Sequence, residues 1–275
     1  MLFGFKKALM IRLIVSLCMC VTPAIAEEIT VSDISSFFKT DVFFLGELHD
    51  NPYHHERQAE AVALIEPSAI VFEMLTAAQS STITPALRED PRALRAALDW
   101  DNSGWPDFDM YYPIIKAAPY AEIYGAQVTR DAARALIKTG DITASFGLDA
   151  EIFGLTSALP KEQQTLREDA QFAAHCDALP KEMLAPMVLV QRMRDASLAK
   201  AAMDAFFETG GPVVVITGNG HARTDWGAPA LMDPVLHTVS IAQLESRPDG
   251  DINHDHYILS PEAMREDPCL AFKKN

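Results

Sequence analysis

The residues of this chain best placed to do chemistry stand at the ends of three apolar runs. VFFLGELHDNPYHHERQ (residues 42–58) passes from an apolar tetrapeptide into Gly46-Glu47-Leu48-His49. VVVITGNGHAR (213–223) passes into Gly218-Asn219-Gly220-His221, the same Gly-x-x-His punctuation, and AIVFEM (69–74) ends at Glu73. Carboxylate and imidazole together can ligate zinc, manganese or iron. A metal so held lowers the pKa of a bound water and a carboxylate takes its proton, which is the chemistry of a hydrolase. The same groups can equally form a hydrogen-bonded network that fixes loops. Glu47, His49, Glu73 and His221 are therefore candidate ligands of a divalent transition metal and, in the hydrolase reading, candidate catalytic groups.

Strands must carry these positions. Period and composition predict strands at Val42–Leu45, Ala69–Met74, Glu122–Ala126, Val213–Thr217, His237–Ile241 and His256–Leu259. Near-continuous runs such as VFFL and VVVIT suit strands buried on both faces, so the fold class is α/β, a largely parallel central sheet flanked by helices. In such a sheet ligands bind beyond the carboxyl ends of the strands. If the three strands are neighbours, the four residues converge there, with Glu47 and His49 two apart on one side of the extended chain.

Helices are predicted at Pro52–Ile65, Pro91–Leu98, Met110–Ala118, Thr129–Lys138, Lys161–Ala174 and Lys181–Phe207, the last broken or kinked at Pro186. Asp50 or Asn51 can cap the first, with Pro52 in its first turn. His54 and His55 then lie near the same mouth, as site residues or as solvated helix-start residues. The stretch from about 140 to 211 has no strand signal and is expected to form a helical insertion in a single domain over residues 27–275.

The first 26 residues, MLFGFKKALMIRLIVSLCMCVTPAIA, join basic residues to an apolar run and an Ala24-Ile25-Ala26 cleavage site, the pattern of a secretory signal peptide. Leu17 and Met19 stand where a lipid-attachment site requires small residues, which argues against lipoprotein anchoring. The expected location is periplasmic or secreted. Loss of Lys6, Lys7 and Arg12 takes the net charge from −15 to −18. Such a surface repels phosphate backbones, and no nucleic-acid partner is expected. Cleavage also leaves Cys176 and Cys269 as the remaining thiols, either joined in a disulfide or buried unpaired.

FLGELHDNPYHHERQ, IVFEML, WPDFDMYYPIIKAA, MVLVQRMRDASLAKAAM and VVVITGNGHARTDWGAP, in that order, resemble the ChaN-like haem-binding family of the Tiki superfamily over roughly residues 40 to 240. The resemblance implies an α/β fold with a helical subdomain and a role in haem or iron uptake outside the cytoplasm. It also implies a homodimer with two stacked haems, and an outer-membrane or periplasmic transport partner. Distant members of the superfamily use paired Gly-x-x-His motifs in metal-dependent hydrolysis.

The resemblance assigns no axial ligand to a position, so candidates rest on chemistry. Haem needs an apolar slot, a His, Tyr, Met or Cys donor and polar groups for its propionates. Tyr111 and Tyr112 lie beside Trp105 and Phe108, and His175 ends a predicted helix. Met183, Met187, Gln191, Arg194 and Asp195 recur at helical spacing, an apolar stripe turning polar. Arg223, two past His221, is either a natural propionate or carboxylate partner or a surface arginine. Of these, Tyr111, Tyr112, His175, Met187, Gln191, Arg194 and Arg223, with His49, His54, His55 and His221, are the candidate haem-binding residues. Three classes follow: a haem carrier or store, a metal-dependent hydrolase, and an interaction module. No Gly-x-Ser-x-Gly elbow, Walker loop or dinucleotide fingerprint points elsewhere.

Overall fold

The computed structural model describes residues 26–271. The expected signal peptide, with Cys18 and Cys20, falls outside them except for Ala26. Seven parallel strands form one sheet: β1 (Glu27–Glu28), β2 (Val42–Leu45), β3 (Ala69–Phe72), β4 (Glu122–Gly125), β5 (Val213–Ile216), β6 (Thr238–Leu244) and β7 (His256–Leu259), in the order β1-β7-β6-β2-β5-β3-β4. Side chains alternate between two buried faces. Phe43, Leu45, Ile70, Phe72, Val214 and Ile216 enter one core, while Val42, Phe44, Ala69, Val71, Val213 and Val215 enter the other. Burial on both faces explains why these strands read as continuous apolar runs.

Among the described residues five helices have ten residues or more: α1 (Pro52–Ile65), α2 (Phe108–Ala117), α3 (Arg130–Thr139), α4 (Lys161–Ala174) and α5 (Lys181–Thr209). Helices α1 and α2 pack together in the first core, and α5 lies across β3, β4 and β5 in the second. Asn51, rather than Asp50, caps α1 by accepting from the Tyr53 N–H at 2.9 Å. The sheet-facing stripe of α5 runs through Met193, Ala196, Ala199, Ala202 and Ala205, small residues that let the backbone lie close to the strands. Helix α4 buries no residue fully and packs chiefly on α5.

Several boundaries differ from the sequence reading. Helix α5 runs unbroken through Pro186. That proline sits early in the helix and removes only the bond to the Glu182 carbonyl, a loss the packed remainder carries. Strand β6 begins at Thr238 and continues to Leu244, because Gln243 and Leu244 pair with β7. Strand β1 has two residues and is too short for periodicity to show. No helix among the described residues is long and apolar enough to cross a membrane. Cys176 and Cys269 are joined in a disulfide with a Cα–Cα distance of 5.5 Å. It ties the residue after the C-cap of α4 to the C-terminal segment.

Candidate functional site

Register brings the three run ends together. Leu45 and Phe72 both stand level with Ile216, on the two sides of β5. The Glu73 N–H donates to the Ile216 carbonyl at 3.1 Å, and the Asn219 N–H donates to the Glu47 carbonyl at 3.0 Å. The first glycine of each motif suits this close approach. A Cβ on Gly46 would collide with the Asn219 side chain, and one on Gly218 would lie 3.0 Å from His49 Nε2. Asn219 itself extends the sheet beyond its strand. Its amide donates to the Gln243 carbonyl at 2.7 Å, and its side-chain oxygen accepts from the Gln243 N–H at 3.1 Å.

Glu47 is buried at 1% exposure and is the centre of one network. Its Oε1 accepts from Tyr111 Oη at 2.9 Å and lies 2.7 Å from His49 Nδ1, while His55 Nδ1 lies 3.4 Å from Oε2. Burial alone would raise this carboxyl, but the His49 hydrogen bond, the two histidine charges and Gln58 outweigh it and hold the pKa at about 2. Burial likewise works against the His49 charge, yet the Glu47 bond and the charges of Glu47, Glu73 and Asp50 push its pKa up to about 9. The pair is thus a carboxylate and an imidazolium at neutral pH. The edge of the His49 ring meets Trp105, with centroids 4.9 Å apart.

Glu73 is the centre of the second network. Its Oε2 accepts from Thr217 Oγ1 at 2.7 Å and from the Gly218 N–H at 2.9 Å. Its Oε1 lies 3.7 Å from His221 Nε2, and His221 Nδ1 lies 2.6 Å from Asp195 Oδ1 on α5. Burial opposes a charge on His221, but Glu73 and Asp195 raise its pKa above the ordinary imidazole value. Glu73 is held below the carboxylate range, its burial outweighed by His221 and His49.

A cavity of about 890 Å³ opens over these networks, within the size range of small-molecule sites. Its floor is Glu47, His49, Glu73 and His221. Trp105 and Trp226 flank it, and α4 and α5 form the outer wall with Ala170, Ala174, Val188 and Leu198 among polar Gln171, Gln191, Arg167 and Arg194. Sequence reasoning placed His49, Gln191, Arg194, His221 and Arg223 among the candidates, and the fold brings these to the cavity wall.

The others stand off it. His54 and His55 are buried under the β2–α1 loop instead of being solvated. His54 Nδ1 accepts from the Leu48 N–H at 2.9 Å, and His55 Nε2 lies 2.9 Å from the His49 carbonyl oxygen. Tyr111 faces α1 in the core and reaches the site only through Glu47. Tyr112 donates to the Arg88 carbonyl at 2.9 Å. Phe108 is core, His175 is the C-cap of α4, and Met187, one turn before Gln191 on α5, does not line the cavity. Helix α2 packs its aromatic face inward because α1 covers it, which pattern alone does not show. Arg167 and Trp226 were missed. The one sits on a helix with no buried stripe, and the other lies past the motif in GHARTDW.

The metal reading of Glu47, His49, Glu73 and His221 finds no support here. Among the described residues no three His, Cys, Asp or Glu side chains are grouped to hold a metal ion. The four do meet, but Glu47 Oε1 is taken by Tyr111 and His49, Glu73 Oε2 by Thr217 and Gly218, and His221 Nδ1 by Asp195. Haem fits the residues better. Two tryptophans and the apolar positions of α4 and α5 supply a slot. Two imidazoles at the floor each have Nδ1 beside a buried carboxylate, so Nε2 is the ring atom left to meet a ligand, as an N–H donor while the ring is charged and as an axial donor once that proton is lost.

A parallel α/β domain with a strand-end cleft walled by a helical hairpin, apolar above and carboxylate–imidazole below, defines a class of ligand-binding protein. The chain belongs to the haem-binding uptake family of the Tiki superfamily, ChaN, which matches residues 34–232. Among solved structures it is similar to ChaN of Campylobacter jejuni, described with cofacial haem binding, at 19% identity and a TM-score of 0.63, over 81% of this chain and 89% of that one. It is also similar to the type III effector HopBA1, at 12% identity and a TM-score of 0.50, over 88% of this chain and 100% of that one. At these identities the likeness is one of fold. No curated protein matches the chain.

Proposed function

We propose that this chain binds haem in the cavity between the strand ends and the α4–α5 hairpin, as a carrier or store in haem or iron uptake. Membership of the haem-binding family supports the reading. The observation that carries it is a cavity of about 890 Å³ with an apolar, aromatic wall facing two imidazoles whose orientation is fixed by buried carboxylates. Bound haem supplies an iron that takes an axial donor. Glu47 and Asp195 hold Nδ1 of His49 and His221, and Trp105 and Trp226 exclude water from the slot.

The signal-like N-terminus supports a periplasmic or secreted location, with haem passed from or to an outer-membrane or periplasmic partner. A homodimer holding a stacked haem pair is the assembly we favour. Hemin titration of the chain from Glu27 onward, followed in the Soret region with sedimentation in parallel, tests this. A saturable shift is expected, with one haem per chain and dimerisation on loading. The absence of a saturable shift would refute haem binding, and retention of zinc, manganese or iron by the same sample would favour the hydrolase instead. Fractionation of cells for the chain tests the location.

A further inference from the structure

Two guanidinium groups on the cavity wall lack a carboxylate partner, in a chain whose acids outnumber its bases 38 to 23. Arg167 on α4 and Arg194 on α5 both line the cavity. Neither makes an ion pair within 4 Å among the described residues. Arg194 has one long contact, 3.5 Å to Gln191 Oε1. Arg167 makes no hydrogen bond, its Nε is buried without a partner, and its guanidinium lies 5.3 Å from the Trp226 ring.

The arginine that sequence reasoning favoured is already occupied. Arg223 grips Asp225 through two bonds of 2.9 and 2.7 Å and stacks on Trp226 at 3.9 Å. Asp195, the carboxylate whose charge acts most on Arg167, is spent on His221 at 2.6 Å. Removing a guanidinium from water without a counterion is unfavourable, and burial does depress Arg167 below the ordinary arginine value. A planar guanidinium against an aromatic face keeps its N–H donors at the ring edge, free for a bidentate carboxylate.

We propose that Arg167 and Arg194 form a two-point carboxylate clamp, one arm from each helix of the hairpin, that makes the cavity selective for a planar apolar dianion. This rests on the haem reading and deepens it: the site recognises the two propionates of the tetrapyrrole, apart from any bond to its iron. Metal-free dicarboxylate porphyrin is then also a ligand, and its neutral diester a poor one. The clamp adds nothing to the floor and is independent of which imidazole donates to iron.

The test compares hemin, protoporphyrin IX and protoporphyrin IX dimethyl ester by absorbance and tryptophan-quenching titrations of the purified protein. The clamp predicts that the diester binds at least tenfold more weakly than the free acid. In R167Q/R194Q the free acid should weaken to the level of the diester, whose own affinity should not move. The exposed-site variant R134Q controls for net charge. If the double variant does not fold, R167K and R194K retain the charge but lose the fork and should each lose part of the selectivity. Equal affinity of acid and diester for the unaltered protein would overturn the clamp while leaving haem binding intact. Failure of all three porphyrins to bind would overturn both.

Discussion

Asp195 Oδ1 lies 2.6 Å from His221 Nδ1, so a side chain from the long helix α5 sets the orientation of an imidazole delivered by the end of β5. Both groups are largely buried, and the other ring nitrogen faces Glu73. The helix that forms the cavity wall thereby also fixes its floor.

Replacing Asp195 by Ala should destabilise the chain by roughly 3–5 kcal/mol, the range for breaking a buried charged pair, as read by urea denaturation. Asp195→Asn should be milder and should lower the His221 pKa, because one of two carboxylates raising it is gone. Histidine resonances followed by NMR titration check this. An unchanged His221 titration would show that Glu73 alone sets its charge.

Stability should peak near pH 6.5. Burial holds His54 neutral, with a pKa of about 4 against 6.5 for a free imidazole, despite opposing charges on Glu245 and Glu47. Between those values the unfolded chain takes up the proton first, so the contribution is present above pH 6.5 and fades as pH falls toward 4. His49, raised to about 9, acts in the opposite sense: its contribution is present below pH 6.5 and is lost as pH rises through 9. Urea melts across pH 5–9 measure the curve. His54→Gln should flatten the acid limb by on the order of 1–2 kcal/mol between pH 7 and 5, and an acid limb of unaltered slope would remove His54 as its cause.

The disulfide closes a loop with a sequence separation of 93 residues. Cys176→Ser with Cys269→Ser should cost about 2–4 kcal/mol. Because α4 buries no residue fully, the loss should be largest there, seen as faster amide exchange over Lys161–Ala174 than in the strands. Uniform exchange between oxidised protein and variant would show that packing on α5 suffices.

Gly218→Ala places a methyl 3.0 Å from His49 Nε2. The ring must swing from its position beside Trp105, so hemin affinity should fall several-fold while the melting temperature moves little. The backbone of Gly218 is not in the left-handed region, so the cause is contact with His49 rather than strain. A variant with unaltered hemin titration would mean that His49 plays no part at the floor.

Much of the fold was legible in the sequence because the signals are local. Strands β2 and β7 and helices α1 and α4 begin and end where the apolar period, caps and prolines place them. Glu47, His49, Glu73 and His221 could be picked out because each lies within five residues of a strand's carboxyl end, and in a parallel sheet strand ends face one way. Pairing was different. That β5 lies between β2 and β3, in a register that levels Leu45 and Phe72 with Ile216, depends on contacts far apart in sequence and decides that the three run ends meet. Whether His54 and His55 look to solvent or inward depends on what covers α1. Whether Tyr111 belongs to the cavity or the core depends on where α2 docks. Sequence by itself determined which side chains can donate, accept or carry charge, and roughly which elements bear them. Only the tertiary structure decided which of them are paired and which, like Arg167 and Arg194 among the described residues, have no carboxylate partner, because satisfaction of a polar group is a property of its neighbours in space.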